Sequence, residues 1–155
     1  MTVSEKENVL RALRRAALLY RHFAETLEAE LGVERAREVI AKAMYAYGGQ
    51  VGREARARTE AAGLPLTPGN FSDDLPTVGW QTRLEEYNGE QVSNIHVCPF
   101  ADEWKKGMDP ALAKLYCLID PAKMEAYNPD YTCVHVTHQL DGADGCRLAV
   151  RKKER

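Results

Sequence analysis

The residues that could carry out chemistry are concentrated in the second half of the chain. All four cysteines and three of the four histidines lie between His96 and Cys146, whereas the first 95 residues contain one histidine and no cysteine. A cysteine thiol has an ordinary pKa of about 8.5, so it needs a nearby histidine or a helix N-terminus to become a nucleophile at neutral pH. Cys98 meets this requirement, because His96 shares its face of a predicted strand and Pro99 leads into a predicted helix. Cys98 is therefore one candidate nucleophile.

Cys117 and Asp120 form a second candidate pair. They are three positions apart, so they lie on one side of a predicted helix. Each also has a purely structural interpretation. A cysteine inside a helix is usually a small buried hydrophobe, and an aspartate directly before Pro121 is a good helix N-cap. From the residue types alone, catalytic and structural roles stay open for both residues.

The metal-ligating residue types lack the spacing of a metal site. His96 and Cys98 share a strand face, but the sequence has no C-x-x-C or H-x-x-x-H pattern, and its four cysteines are dispersed. Zinc sites typically use such paired ligands. The sequence therefore predicts no metal, and it makes no prediction of a cofactor.

The composition is typical of one globular domain. The 155 residues are 45% hydrophobic and 28% charged, with a net charge of −2, and a chain of this length builds one core. We therefore expect a single domain over residues 1–155. The small negative charge argues against a nucleic-acid partner, because binding to phosphates needs a broad basic surface. The apolar runs near the N-terminus are too short for a membrane span or a secretory signal, which predicts a cytoplasmic protein with no membrane partner and free thiols.

Two long helices are predicted at the N-terminus. Apolar residues recur at helical spacing over residues 4–31 and 33–62, and Gly32 and Gly63 follow these segments as end signals. The same two helices offer a way for subunits to pair, so a homo-oligomer is a further possibility. Residues 64–78 contain three prolines and predict an irregular connector, which could also cover a pocket as a lid.

Three glycines interrupt the second predicted helix. Gly48, Gly49 and Gly52 each cost the helix up to about 1 kcal/mol relative to alanine. That cost predicts either a break in the helix or a close neighbour against the bare backbone. The neighbour could be another helix, which is the simpler interpretation, or a ligand.

A β-hairpin is predicted around Asn88-Gly89, because this pair favours a two-residue type I′ turn. Its strands would cover residues 79–87 and 90–98. The turn sets the register, with Tyr87 opposite Glu90, Arg83 opposite Asn94, Thr82 opposite Ile95, Gln81 opposite His96 and Trp80 opposite Val97. One face is then apolar (Trp80, Thr82, Leu84, Ile95, Val97) and the other is polar (Gln81, Arg83, Asn94, His96, Cys98).

Short helices and a second hairpin complete the predicted fold. Helices are expected after Pro99, from Asp109-Pro110, and from Asp120-Pro121 to about Tyr127. Strands are expected over residues 131–140 and 146–151. If the loop is DGADG, Leu140 pairs with Cys146 and His138 with Leu148, which turns His138 and Cys146 toward the interior. Two antiparallel hairpins joined in one sheet and covered by helices make an α+β domain.

The order and spacing of several short motifs add a family resemblance over residues 10–150. The motifs are Tyr47-Gly-Gly-x-x-Gly52, Val97-Cys-Pro-Phe100, Tyr116-Cys-x-x-Asp120, Tyr127-Asn-Pro129 and Leu140-x-Gly-x-x-x-Cys146. With them the chain resembles the L-2-amino-thiazoline-4-carboxylic acid hydrolase family, which is itself similar to small-molecule-binding domains of the 4-vinyl-reductase type.

The resemblance implies a hydrolase that opens a small cyclic amidine such as 2-amino-thiazoline-4-carboxylate. In this interpretation Cys117 or Cys98 attacks the amidine carbon or positions a water molecule. Asp120 would hold the protonated amidine, and His138 or His96 would move the proton.

The resemblance also implies groups that bind the substrate. Arg83, next to Asn94 on the polar strand face, would clamp the substrate carboxylate with its planar fork. Asn128, with Tyr127 beside it, would add a directional hydrogen bond. Two other classes of protein stay open: a binding module or sensor that holds an apolar ligand in the same pocket, and an assembly protein whose long helices pair between subunits.

Overall fold

A computed structural model describes residues 3–72, 75–76 and 78–154, with the side chain of Val3 left out. The predicted connector includes residues 73, 74 and 77, which lie outside the described part of the chain. Two long helices come first, α1 (Val3–Leu31) and α2 (Val33–Ala61). Gly32 and Gly63 follow the helix ends with positive φ angles of 78° and 68°, a backbone conformation that glycine adopts more readily than other residues. Both predicted helices and their end signals are confirmed.

The rest of the chain alternates short helices with two hairpins. Its elements are β1 (Gln81–Tyr87), β2 (Glu90–Val97), α3 (Pro99–Trp104), α4 (Pro110–Lys114), α5 (Ile119–Tyr127), β3 (Tyr131–Thr137) and β4 (Cys146–Lys152), with 3₁₀ turns at Pro68–Asn70, Leu115–Leu118 and Gln139–Asp141. The four strands form one antiparallel sheet in the order β1-β2-β4-β3. This is the predicted α+β architecture.

Two of the three glycines of α2, Gly48 and Gly52, are explained by α5, which packs directly against them. A Cβ on Gly48 would lie 2.6 Å from the backbone oxygen of Ile119 and 2.9 Å from Ala122 Cβ, and one on Gly52 would overlap the backbone oxygen of Lys123. The helix is unbroken here, so close helix packing is the correct interpretation of these residues. The contact sets the position of α5, which carries part of the candidate site.

The register of the first hairpin is confirmed from the turn outward to Thr82, which pairs with Ile95. A β-bulge then places Gln81 opposite Val97, so the predicted pairs of Gln81 with His96 and of Trp80 with Val97 are wrong. The predicted faces also need correction. The side chain of Leu84 is 73% exposed, whereas Asn94 is fully buried. On the predicted polar face, Nδ2 of Asn94 donates a hydrogen bond to Glu85, which also accepts one from Arg147.

The predicted register of the second hairpin is wrong. His135, not His138, is opposite Leu148, and the register shifts between His135 and Thr137. Thr137 explains the irregularity, because its hydroxyl donates to the backbone oxygen of Gly145 and accepts from the backbone N–H of Arg147, at 2.8 and 3.2 Å. As a result, His135 faces the helices. His138 follows the end of β3 and is buried.

Two large apolar side chains on α1 are exposed: Leu19 is 60% exposed and Phe23 is 64% exposed. Pairing of subunits through the N-terminal helices stays a prediction.

Among the described residues, no helix has the length and apolar character needed to cross a membrane.

Candidate active site

A cavity of about 330 Å³ lies between the helices and the sheet. Its walls come from α1, α2, α3, the turn before α5, α5 and all strands except β1, with Leu75, Pro76 and Trp80 from the segment before β1. The lining side chains that carry polar or ionisable groups are Tyr47, Trp80, Cys98, Trp104, Tyr116, Cys117, Asp120, Lys123, His135 and Cys146. Three of the four thiols (Cys98, Cys117 and Cys146) and one predicted catalytic residue that is not a thiol, Asp120, thus line one cavity.

Asp120 connects α5 to β3. Its Oδ2 atom lies 2.9 Å from Nε2 of His135, and its Oδ1 atom lies 3.0 Å from Nζ of Lys123. Burial opposes ionisation of the Asp120 carboxyl, but these two partners outweigh burial and lower its pKa. Asp120 does not cap a helix, because α5 already begins at Ile119. The predicted N-cap role is therefore wrong, and both carboxylate oxygens are engaged by cationic or ionisable groups.

His135 has one ring nitrogen toward Asp120 and one toward the cavity interior. With Nε2 bonded to Asp120, Nδ1 is left, and it is buried without a partner within hydrogen-bond distance among the described residues. Burial lowers the pKa of His135, but Asp120 and Cys146 more than compensate and raise it to about 9. The ring is therefore an imidazolium at neutral pH, with a proton on Nδ1 available to an anion.

Cys146 supplies that anion. Its thiol is buried at the start of β4, and Sγ accepts the backbone N–H of Gln139 at 3.3 Å. Ring nitrogens of His135 and His138 lie with Sγ in a group whose members are all within 4.8 Å of one another. Burial opposes ionisation, but the neighbouring rings of His135 and His138 and the N–H of Gln139 outweigh it and lower the pKa of Cys146 to about 6. Cys146 is thus a thiolate at neutral pH.

The two predicted nucleophiles are in a different state. Sγ of Cys98 accepts the backbone N–H of Ala101 at 3.4 Å and so caps α3, and burial raises its pKa. Sγ of Cys117 lies 3.3 Å from Nε2 of His138. Burial and the nearby Asp120 carboxylate raise the pKa of Cys117 well above its usual value. Both thiols line the cavity in protonated form.

Among the residues that the structure describes, His135, His138 and Cys146 form a group that could hold a metal ion. Three protein ligands with an open fourth position are typical of catalytic zinc. The tautomer of His138 opposes this use. Its Nδ1 accepts the backbone N–H of Leu140 at 3.2 Å, so the proton of the neutral ring is on Nε2, which faces Cys117. A metal on Nε2 would have to displace that proton.

The other predicted site residues lie away from the cavity walls. His96 is exposed, since it points away from the cavity on the strand that carries Ile95. Arg83 pairs with Glu85 at 2.8 Å and has a 59% exposed side chain. Asn94 is buried on the opposite face of the sheet from Ile95. None of these three lines the cavity.

Tyr127 and Asn128 hold the connector in place. The Tyr127 hydroxyl donates to the backbone oxygen of Thr67 at 3.1 Å, and Nδ2 of Asn128 donates to that of Leu66 at 2.7 Å. Neither residue lines the cavity. Their polar groups position residues 66–67 of the connector, which leads toward Leu75 and Pro76 at the cavity wall.

Sequence reasoning missed the roles of His135 and Lys123, and it assigned no chemistry to Cys146. His135 was missed because the predicted register placed it on the face opposite Cys146. A signal was present for Lys123: it follows Asp120 by three positions, the spacing of a helical ion pair. Along β3, Cys133 and His135 alternate with Thr132 and Val134, and this pattern does not show which of the two sheet faces the helices cover.

Comparison with known proteins gives one match. The model of the family described as L-2-amino-thiazoline-4-carboxylic acid hydrolase matches residues 11–150. Neither the curated proteins nor the solved structures contain a significant match.

Proposed function

The chain belongs to the L-2-amino-thiazoline-4-carboxylic acid hydrolase family, and from this premise we propose that it hydrolyses a cyclic amidine such as 2-amino-thiazoline-4-carboxylate with Cys146 as nucleophile. The proposal moves the nucleophile from Cys117 or Cys98 to Cys146. It also changes the role of Asp120 from holding the amidinium to orienting His135, since both of its oxygens already have partners.

One observation carries the proposal: Asp120, His135 and Cys146 are arranged as an orienting carboxylate, a base and a thiol. The 2.9 Å contact between Asp120 and Nε2 of His135 leaves Nδ1 as the ring nitrogen for the neighbouring thiolate, which is within 4.8 Å of the ring. A nucleophile beside a base that a third group orients is the arrangement of thiol hydrolases. Contacts between base and nucleophile are often long until a substrate binds, which accommodates the separation of up to 4.8 Å.

The reaction follows from these positions. The Cys146 thiolate forms a bond to the amidine carbon, the imine nitrogen takes a proton from His135, and a ring C–N or C–S bond breaks. As the exocyclic nitrogen re-forms a double bond to the amidine carbon, its proton passes to the departing ring atom, which leaves as an amine or thiol while the carbon stays bound to Sγ. Water then attacks that carbon while His135 accepts its proton, and Cys146 leaves as a thiolate. The product is the substrate plus one water, with the ring open.

Lys123 takes the place of Arg83 as the proposed partner of the substrate carboxylate. Its side chain lines the cavity and is 8% exposed, and its Nζ atom already neutralises Asp120. A second anion beside this ammonium would be attracted more strongly than in water, because the surroundings are of low dielectric. The exposed Arg83 has no such access to the cavity.

The test is turnover of 2-amino-thiazoline-4-carboxylate by the purified protein, followed by mass spectrometry for the gain of one water. We expect turnover that a chelator does not change, and a fall of about 10³-fold or more in kcat for Cys146→Ser. Cys133→Ser is the matched control, because Cys133 is a buried thiol that does not line the cavity. Full activity of Cys146→Ser would disprove the mechanism, and loss of activity with chelator would replace it with metal chemistry at the same residues.

A non-catalytic binding module is the second candidate, and the apolar character of the cavity favours it. Aromatic and aliphatic side chains make up most of the walls, as in pockets that bind small molecules. This candidate expects tight binding of a ligand without ring opening, and equal binding by the wild type and Cys146→Ser. The same two proteins therefore decide between the candidates.

A further inference from the structure

A continuous aromatic wall runs through the cavity from Tyr116, near Asp120, to Trp80 before β1. Phe100 is at its centre, with ring centroids of Trp80, Trp104 and Tyr116 at 5.4, 5.5 and 5.1 Å. All four side chains line the cavity. Such spacings are those of favourable ring packing, so the wall is a rigid surface of neighbouring rings. The proposed reaction makes no use of it.

The wall offers carbon atoms to the cavity. The Nε1 atom of Trp104 donates to the backbone oxygen of Ala17 at 2.9 Å, so the polar atom of this ring is already engaged inside the protein. Leu13, Val51 and Leu75 add aliphatic surface to the same cavity. A polar substituent placed here would lose its hydration without gaining a partner. An apolar, flat group would gain contact with several ring faces.

One end of the aromatic wall is separated from the nucleophile across the sheet. Tyr116 is near Asp120, but Trp80 immediately precedes β1 whereas Cys146 begins β4, and β2 lies between these strands. Two interstrand spacings amount to roughly 10 Å. The cavity volume of about 330 Å³ falls in the range of roughly 300–1,000 Å³ that accommodates drug-sized ligands. A bare thiazoline carboxylate held at Cys146 would leave the Trp80 end of the wall uncovered.

We propose that the substrate of this site is a cyclic amidine that carries a flat apolar substituent, which lies on the wall formed by Trp80, Phe100, Trp104 and Tyr116 while the amidine carbon is held at Cys146. The inference rests on the proposed function, and it narrows the substrate class. The amidine and carboxylate provide the polar end of the molecule, with the amidine nitrogen at His135 and the carboxylate at Lys123. The substituent supplies binding energy remote from the reacting carbon, which orients that carbon for attack.

The experiment compares 2-amino-thiazoline-4-carboxylate with analogues that carry a phenyl or a methyl group, each placed either on the exocyclic nitrogen or on the ring carbon next to sulfur. We expect the better phenyl analogue to exceed the bare and methyl compounds in kcat/KM by about tenfold or more, as burial of an aromatic group allows. Trp80→Leu should lose more on the phenyl analogue than on the bare compound. Tyr45→Leu is the control, because Tyr45 is exposed and does not line the cavity.

The outcomes separate this inference from the function on which it rests. Turnover of the bare compound that equals or exceeds turnover of every phenyl analogue overturns the inference and leaves the hydrolase standing. If no compound is turned over, the hydrolase fails and calorimetric binding decides the inference. Tighter binding of a phenyl analogue, weakened by Trp80→Leu and not by Tyr45→Leu, would support an aromatic-ligand site, whereas equal or absent binding would overturn it.

Discussion

Cys146 and Cys117 line the same cavity, yet their surroundings favour opposite protonation states. At the start of β4, Cys146 receives a backbone N–H from Gln139 and lies near an imidazolium, and its pKa falls to about 6. In the turn before α5, burial and the nearby Asp120 carboxylate raise the pKa of Cys117 well above the usual value. Burial opposes ionisation of both thiols. The difference shows that a buried thiol ionises only where the donors and charges around it outweigh burial.

The largest effect we expect from this difference is in thiol alkylation. With a small reagent such as iodoacetamide at pH 7, Cys146 should react about 10²-fold faster than Cys117, because Cys146 is mostly thiolate and Cys117 is almost entirely thiol. This ratio of alkylation rates is smaller than the ratio of the two thiolate fractions, since a thiolate of lower pKa is intrinsically less nucleophilic. The rate at Cys146 should rise with pH around a midpoint of about 6.

Mass spectrometry of tryptic peptides measures this comparison directly. Cleavage after Lys114 and Lys123 isolates Cys117 in the peptide LYCLIDPAK, whereas Cys133 and Cys146 share the next peptide and are distinguished by fragmentation. Cys133 is an internal reference, because burial raises its pKa to about 12. First labelling at Cys117, or a midpoint near the ordinary thiol value for Cys146, would contradict the assignment.

A smaller effect should follow from removing the negative charge of Asp120, the carboxylate that contacts His135. Asp120→Asn retains the shape of the side chain but loses the carboxylate that raises the pKa of His135. The ring then becomes neutral at a lower pH, so the Cys146 thiolate loses its cationic partner and its pKa rises. At pH 6.5 we expect alkylation of Cys146 to slow by about tenfold, which corresponds to a rise of roughly 1.6 in the pKa of Cys146 from its value of about 6.

Asp144→Asn is the matched control for this substitution. Asp144 is also a carboxylate near Cys146 in the chain, but its side chain is 73% exposed and pairs with Arg147 at 2.7 Å. The control should leave the alkylation rate at pH 6.5 unchanged. Equal rates in Asp120→Asn and the wild type would mean that Asp120 does not support the thiolate through His135.

Local signals in the sequence were sufficient for the helices and the first hairpin. Gly32, Gly63 and the Asn88-Gly89 turn each act within a few residues, so their effects are readable without tertiary information. Asp109 likewise caps α4 by accepting the backbone N–H of Leu112 at 3.1 Å, as its position before a proline predicts. The family resemblance, carried by the order of short motifs, is confirmed over nearly the whole chain.

The candidate site was only partly predictable, because its composition depends on one irregularity. Thr137 makes its hydrogen bonds across the hairpin to Gly145 and Arg147, and the resulting register brings His135 to the face of Cys146. Strict alternation places His135 on the other face, where it could not contact Asp120. Arg83 and Asn94 were misassigned for a related reason: alternation identifies two faces of a sheet but does not tell which face the helices cover.

The smallest expected effect concerns the support of the site by α2. A Cβ at position 52 would overlap the backbone of α5 at Lys123 and approach Ala126 Cβ to 2.9 Å, whereas one at position 49 would meet only the mobile end of Arg53, at 3.2 Å. Gly52→Ala should therefore lower the free energy of unfolding by about 1–3 kcal/mol through overpacking. Gly49→Ala should raise it by about 0.5–1 kcal/mol through improved helix propensity.

Thermal unfolding and alkylation together link this packing to the ionised thiol. For a chain of this size, 1 kcal/mol corresponds to a shift of roughly 2–4 °C in Tm, so the two variants should move in opposite directions by a measurable amount. Because α5 carries Asp120, a displacement of α5 in Gly52→Ala should also lengthen its contact with His135 and slow the alkylation of Cys146. Gly49→Ala should keep the wild-type rate. A Gly52→Ala protein that unfolds at the wild-type temperature would show that α5 can retreat from α2, and the position of Asp120 would then have to come from its contacts with β3.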